Sequence, residues 1–138
     1  MALHVRYFTE YADELRRDNR EWTDERVHNQ ASRALSPPAI APHVAGAAVD
    51  LTLCTIAGEE LDMGTKVNAS PEGSDLACYT AAPNILAEAA ANRRLLADAL
   101  TAVGMVNYPT EWWHWSYGDR YWAKSTGAPT ARYGPGPW

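Results

Sequence analysis

The stretch AVDLTL, residues 48 to 53, most constrains how this chain folds. Val49, Leu51 and Leu53 alternate with Ala48, Asp50 and Thr52, a period of two that predicts a strand with Asp50 turned away from the aliphatic side. A carboxylate in the middle of an apolar strand is costly to bury without a cation or metal beside it. Asp50 is thus the strongest single clue to a charged or metal partner.

The elements around this strand can be read from periodicity and caps. Val5, Phe8, Tyr11 and Leu15 recur at helical spacing and predict a helix from Val5 to Arg17. Thr23 can cap a second helix, with Asp24 and Glu25 in its first turn, Val27, Ala31 and Leu35 along one side, and Ser36-Pro37-Pro38 at its end. Residues 57 to 82 carry Gly58, Gly64, Pro71 and Gly73 among polar residues and predict a long irregular connection, of the kind that is often functional. The clearest helix runs from about Asn84 to Val103, with Pro83 before it, Gly104 after it, and Ile85, Ala89, Leu96, Leu100 and Val103 on its buried side. MVNYP and EWWHWSY then read as two strands or one broken strand, and the Gly- and Pro-rich tail from Gly127 as loop. Helix, helix, strand, helix, strands predicts an α+β fold with a small antiparallel sheet and helices packed on it.

With 138 residues, a single domain spanning 1–138 is expected. A net charge of −5 argues against a nucleic-acid partner, because Arg16, Arg17 and Arg20 are diluted by Asp13, Glu14 and Asp18. The N-terminus has no secretory pattern and no apolar run is long enough to span a bilayer, so a cytoplasmic protein is expected. Cys54 and Cys78 are expected to be reduced, packed thiols.

A mononuclear zinc site for hydrolysis takes three protein ligands and keeps a position for water. His43 lies just before the strand, Asp50 lies within it, and Gly46 permits a bend between them. His114, from a distant strand, completes a His/Asp/His set, and Glu111 is placed to act as general base. Each has a plainer reading: His43 as a loop residue, Asp50 as a turn carboxylate, Glu111 and His114 as an ion pair beside packed tryptophans. His4 and His28 read as surface or core-edge histidines.

The segments HVAGAAVDLTL, 43 to 53, and EWWH, 111 to 114, resemble the HxxGxAxD and ExxH signatures of zinc D-alanyl-D-alanine dipeptidases of the VanX type. Met63-Gly64, NRRLL at 92 to 96 and YGDRYWA at 117 to 123 extend the resemblance over most of the chain. It implies an α+β fold shared with cell-wall D,D-peptidases and the hedgehog signalling domain, and one Zn2+ held by His43, Asp50 and His114. It also implies hydrolysis of a small dipeptide, with zinc polarising the scissile carbonyl and Glu111 as the base.

Three departures from the family pattern stand out. The N-terminal Tyr-Arg-Pro segment, whose arginine steadies the tetrahedral intermediate, is expected to be missing, and nothing marks Arg6 as its substitute. Asn68 stands at the substrate-binding position where the family commonly has an aspartate for the dipeptide ammonium, and Ala41 replaces a serine. A homo-oligomer in which a partner subunit supplies the cation stays open. So do a family member repurposed for another small amide or ester and a non-catalytic zinc-binding module. One geometric demand remains: a regular strand points residues three apart to opposite faces, so Glu111 and His114 meet one metal only if the backbone between them bends or bulges.

Overall fold

A computed structural model describes residues 2–34 and 42–134. The chain runs α1 (Ala2–Asp18), α2 (Asp24–Ala34), a short 3-10 turn (Pro42–Ala45), β1 (Ala48–Asp50), α3 (Ala87–Ala102), β2 (Val106–Tyr108), β3 (Glu111–Ser116) and α4 (Arg120–Thr126). The architecture is α+β, with one antiparallel sheet of order β1-β3-β2 among the described residues.

Helices α1 and α2 bury a cluster of their own, Phe8, Ala12, Val27 and Ala31, edged by Tyr11, Leu15 and Trp22. Thr23 caps α2 as its sequence predicts, its Oγ1 accepting from the Arg26 amide at 3.2 Å. Val5, expected on the buried stripe, is exposed, and Ala12 is buried instead. Leu35 and the Ser-Pro-Pro end of the helix lie outside the described residues.

The larger core joins Met63, Cys78, Leu96, Trp112 and Trp113, with Leu51, Leu53 and Leu100 against it. Strand β3 lies between two neighbours, and all its residues from Trp112 to Ser116 are buried. That is why consecutive tryptophans are tolerated there. β1 is shorter than predicted and ends at Asp50; Val49 is exposed, while Leu51 and Leu53 reach the core from the segment beyond the strand. Cys78 is buried and Cys54 exposed, so only one of the two thiols is packed as expected.

The connection is irregular over 57 to 82, as predicted, and also over the flanking residues from 51 to 86, and its backbone needs partners that the three-stranded sheet does not supply. Arg93 of α3 supplies several of them. The residue is only 4 % exposed, and its guanidinium donates to the carbonyls of Met63 at 2.7 Å, Tyr79 at 2.7 Å and Ala77 at 2.8 Å. The buried stripe of α3 therefore includes Arg93 between Ala89 and Leu96, while Val103 is exposed. Gly64 lies against this contact at φ +84, where a Cβ would stand 2.8 Å from Ile85 Cγ2 and 3.2 Å from the guanidinium.

Helix α4 has no counterpart among the sequence expectations. Asp119 caps it by accepting from the Trp122 amide at 2.6 Å, and Gly127 ends it at φ 72. Trp122 Nε1 donates to the carbonyl of Gly104 at 2.9 Å, tying α4 to the end of α3.

Candidate metal centre

His43, Asp50 and His114 come together at the β1–β3 edge. The 3-10 turn carries His43 and closes with Gly46 at φ +62, its amide donating to the His43 carbonyl at 3.1 Å. Gly46 thus makes the bend foreseen for it, and β1 starts two residues later. Antiparallel register then sets Asp50 directly opposite His114.

His43 Nε2 and His114 Nδ1 are 3.2 Å apart, His114 Nδ1 and Asp50 Oδ1 3.0 Å, and His43 Nε2 and Asp50 Oδ1 3.4 Å. A tetrahedral ion with bonds of about 2.0–2.1 Å separates its ligand atoms by about 3.3–3.4 Å, close to these three edges. Two ring nitrogens and a carboxylate oxygen facing one another also have too few protons to satisfy every contact, whereas a single cation satisfies all three. The donor set therefore fits a divalent metal, and these three are the described residues able to hold one.

The electrostatics follow from the same closeness. Hydrogen bonding to Asp50 raises the His43 pKa against the opposing effect of burial. Burial works against ionisation of Asp50, but hydrogen bonds from His114 and His43 outweigh it and hold the carboxyl well below its usual range. Glu111 Oε2 lies 3.7 Å from His114 Nδ1. Burial raises its pKa, the nearby imidazoles oppose that rise, and Asp50 adds to it. A carboxylate raised in this way is a better proton acceptor than an ordinary surface glutamate.

The backbone meets the demand placed on it. β2 and β3 pair Val106 with Ser116 and Asn107 with Trp115, and the next pair is Tyr108 with Glu111. One step along β2 is matched by four along β3. This bulge lets Glu111 and His114 address the same cluster although they are three residues apart.

The family model described as D-ala-D-ala dipeptidase matches residues 14–128 of the chain. The chain belongs to this D-Ala-D-Ala dipeptidase family. A D-alanyl-D-alanine dipeptidase from Synechocystis sp. is 35 % identical over 96 residues, which are 64 % of the chain and 38 % of that relative. The chain thus spans well under half the length of this relative. All four residues of the cluster lie within the family match.

Other residues singled out by the family resemblance are placed differently. Asn68 is exposed, at φ 62, in the wall of a cleft of about 550 Å3 whose lining includes none of the four cluster residues. Thr65 of the same wall accepts from Trp112 Nε1 at 2.8 Å, so the cleft is tied to the residue following Glu111. Arg6 is held by Glu10 in an exposed pair at 2.8 Å on α1. Among the described residues, no lysine or arginine forms an ion pair with Asp50 or Glu111. Ala41 and the side chain of His4 lie outside the described residues.

Two neighbours of the cluster escaped the sequence reading. Tyr108 sets its ring edge-on to His114 at 5.8 Å and is braced by Tyr121 at 5.1 Å. Asn107 bonds the backbone of β3 from beneath. Both sit in MVNYP, where β-propensity signals a strand and says nothing about which side chains turn toward a site.

Proposed function

We propose that this chain is a zinc-dependent dipeptidase acting on a small D-Ala-D-Ala-like dipeptide, with His43, Asp50 and His114 as metal ligands and Glu111 as general base. The observation that carries this reading is the triangle of ligand atoms with the Glu111 carboxylate beside it. Side-chain exposures of 40 % for His43, 28 % for Asp50 and 37 % for Glu111 leave the cluster open to a substrate. The family match and the named activity of the Synechocystis relative support the choice of substrate class.

When bound, a zinc ion supplies Lewis-acid polarisation and lowers the pKa of water at the site. The protein's own groups do the remaining work. Glu111, desolvated and close to the imidazoles, accepts the proton of the attacking water and returns it to the departing amine nitrogen. Trp112, Trp113 and Trp115 pack around the strand and fix the orientation of Glu111 and His114. Tyr108 forms an aromatic wall beside His114.

A second reading has its own observation. The exposed amide of Asn68 can accept a hydrogen bond but cannot pair with an ammonium, which favours a small amide or ester lacking a free amine. Incubating zinc-loaded protein with D-Ala-D-Ala and measuring free alanine distinguishes the two. Release of alanine supports the dipeptidase; no release from D-Ala-D-Ala, with turnover of other amides in a panel, selects the repurposed enzyme. No helix among the described residues is long and apolar enough to cross a membrane.

A further inference from the structure

The β3 bulge removes Trp112, Trp113 and His114 from regular pairing with β2, leaving carbonyls that a ladder would otherwise satisfy. The Trp112 carbonyl accepts from Trp115 Nε1 at 3.1 Å and the Trp113 carbonyl from the Leu51 amide at 3.2 Å, and one side chain takes up the carbonyls at the two ends of the bulge. Asn107 Nδ2 donates to the carbonyl of Glu111 at 3.0 Å and to that of His114 at 3.0 Å, with a longer contact to Trp112 at 3.5 Å. The other end of the same amide, Oδ1, accepts from Thr80 Oγ1. Thr80 in turn donates its backbone amide to Pro109, in the turn between β2 and β3, at 2.9 Å.

We propose that Asn107 is a positioning residue: its carboxamide, oriented by Thr80, holds the bulge that turns Glu111 onto the His43/Asp50/His114 cluster. The inference rests on the reading of that cluster as a metal site with Glu111 as its base. Its physical core is a count of donors and acceptors. Two N–H groups are needed for two carbonyls, and one acceptor for Thr80; among side chains of this size only an amide offers both. Aspartate would set oxygens against carbonyl oxygens, and leucine, of similar shape, would leave both carbonyls unpaired. By joining the backbones of Glu111 and His114, Asn107 fixes the distance between base and ligand without touching either side chain.

The test uses the full chain loaded with cobalt(II) in wild-type, Asn107→Leu, Thr80→Val and double-variant forms. It reads the visible ligand-field spectrum, cobalt affinity by chelator competition, and kcat and KM for D-Ala-D-Ala. Asn107→Leu is expected to shift the cobalt bands, weaken cobalt binding about tenfold or more, as loss of outer support for metal ligands typically does, and lower kcat more than it changes KM. Thr80→Val should move the same readouts in the same direction by less, and the double variant should be less than additive. An Asn107→Leu protein with the wild-type spectrum and affinity overturns the inference, even if it melts earlier. If that variant does not fold, a Thr80→Val protein with an unmoved spectrum overturns it equally. Should the wild-type protein bind no cobalt, the metal reading falls and the role of Asn107 with it. Wild-type binding with unmoved variants removes only the role of Asn107.

Discussion

Strand β3 has two flanks built on different rules. Toward β1 the register is regular, and Asp50 stands opposite His114 with Val49 opposite Trp115. Toward β2 the register jumps by three residues, and an asparagine side chain replaces the missing ladder bonds. Regular pairing suffices to bring one proposed metal ligand to another, because opposite residues in an antiparallel pair project to the same face. Bringing Glu111, three residues from His114, to the same face cannot be done by pairing, and there the chain departs from the ladder.

The largest expected effects separate the flanks by what each supplies. Asp50→Asn, on the regular flank, should lose stoichiometric metal, measured by elemental analysis of the purified protein. Glu111→Gln, on the bulged flank, should keep its metal and lose at least ~10²-fold in turnover, the size of a general-base contribution. A metal-loaded, fully active Glu111→Gln protein would remove Glu111 from its role; Asp50→Asn with full metal would do the same for Asp50.

A smaller effect concerns pH and centres on His43 and Asp50, on the regular flank. The His43 pKa is raised above its ordinary 6.5, so its contribution to stability is present below that value and is lost as pH rises through the raised pKa. The Asp50 pKa is lowered from 3.8, so its contribution is present above that value and is lost as pH falls toward the depressed pKa. Metal-free protein should therefore melt highest between these limits and decline on both sides, and Asp50→Asn should flatten both arms. Metal affinity should run the other way on the alkaline side, rising with pH as His43 gives up the proton that competes for its nitrogen. Melting curves with chelator present, beside metal titrations at each pH, would expose a wrong sign in either trend.

The smallest effect is expected at Val49, which shares the regular flank with Asp50 yet is 44 % exposed. Val49→Thr should change the unfolding free energy by no more than about 0.5 kcal/mol. A large loss in denaturant unfolding would mean that the outward face of β1 is covered in solution.

Much of the candidate site was legible in the sequence, because its clues are local. An aspartate in an apolar strand, a glycine between it and a histidine, and an acid and a histidine among tryptophans are all visible in a few residues. The α+β class followed from the order of periodic segments. The boundaries were less legible: α3 starts at Ala87 rather than near Asn84, and β1 stops at Asp50 although the alternation continues to Leu53. Alternation persists wherever a chain stays extended, whereas a strand ends where its partner leaves. Helix α4 was missed although Asp119 and Gly127 bracket it, since seven residues are too few for periodicity to speak.

The sequence by itself determined the chemical types at the site: two imidazoles, the strand carboxylate and the neighbouring acid, spaced so that two elements must meet. It also determined that a straight strand could not unite Glu111 with His114. Only the tertiary structure decided how that conflict is resolved, through the bulge in β3, the Asn107 amide beneath it, and the Arg93 guanidinium that ties the long connection together. The physical reason is the same for both polar side chains. Each is chosen by backbone carbonyls that lack partners only after distant segments have packed, and no local pattern records which carbonyls those will be.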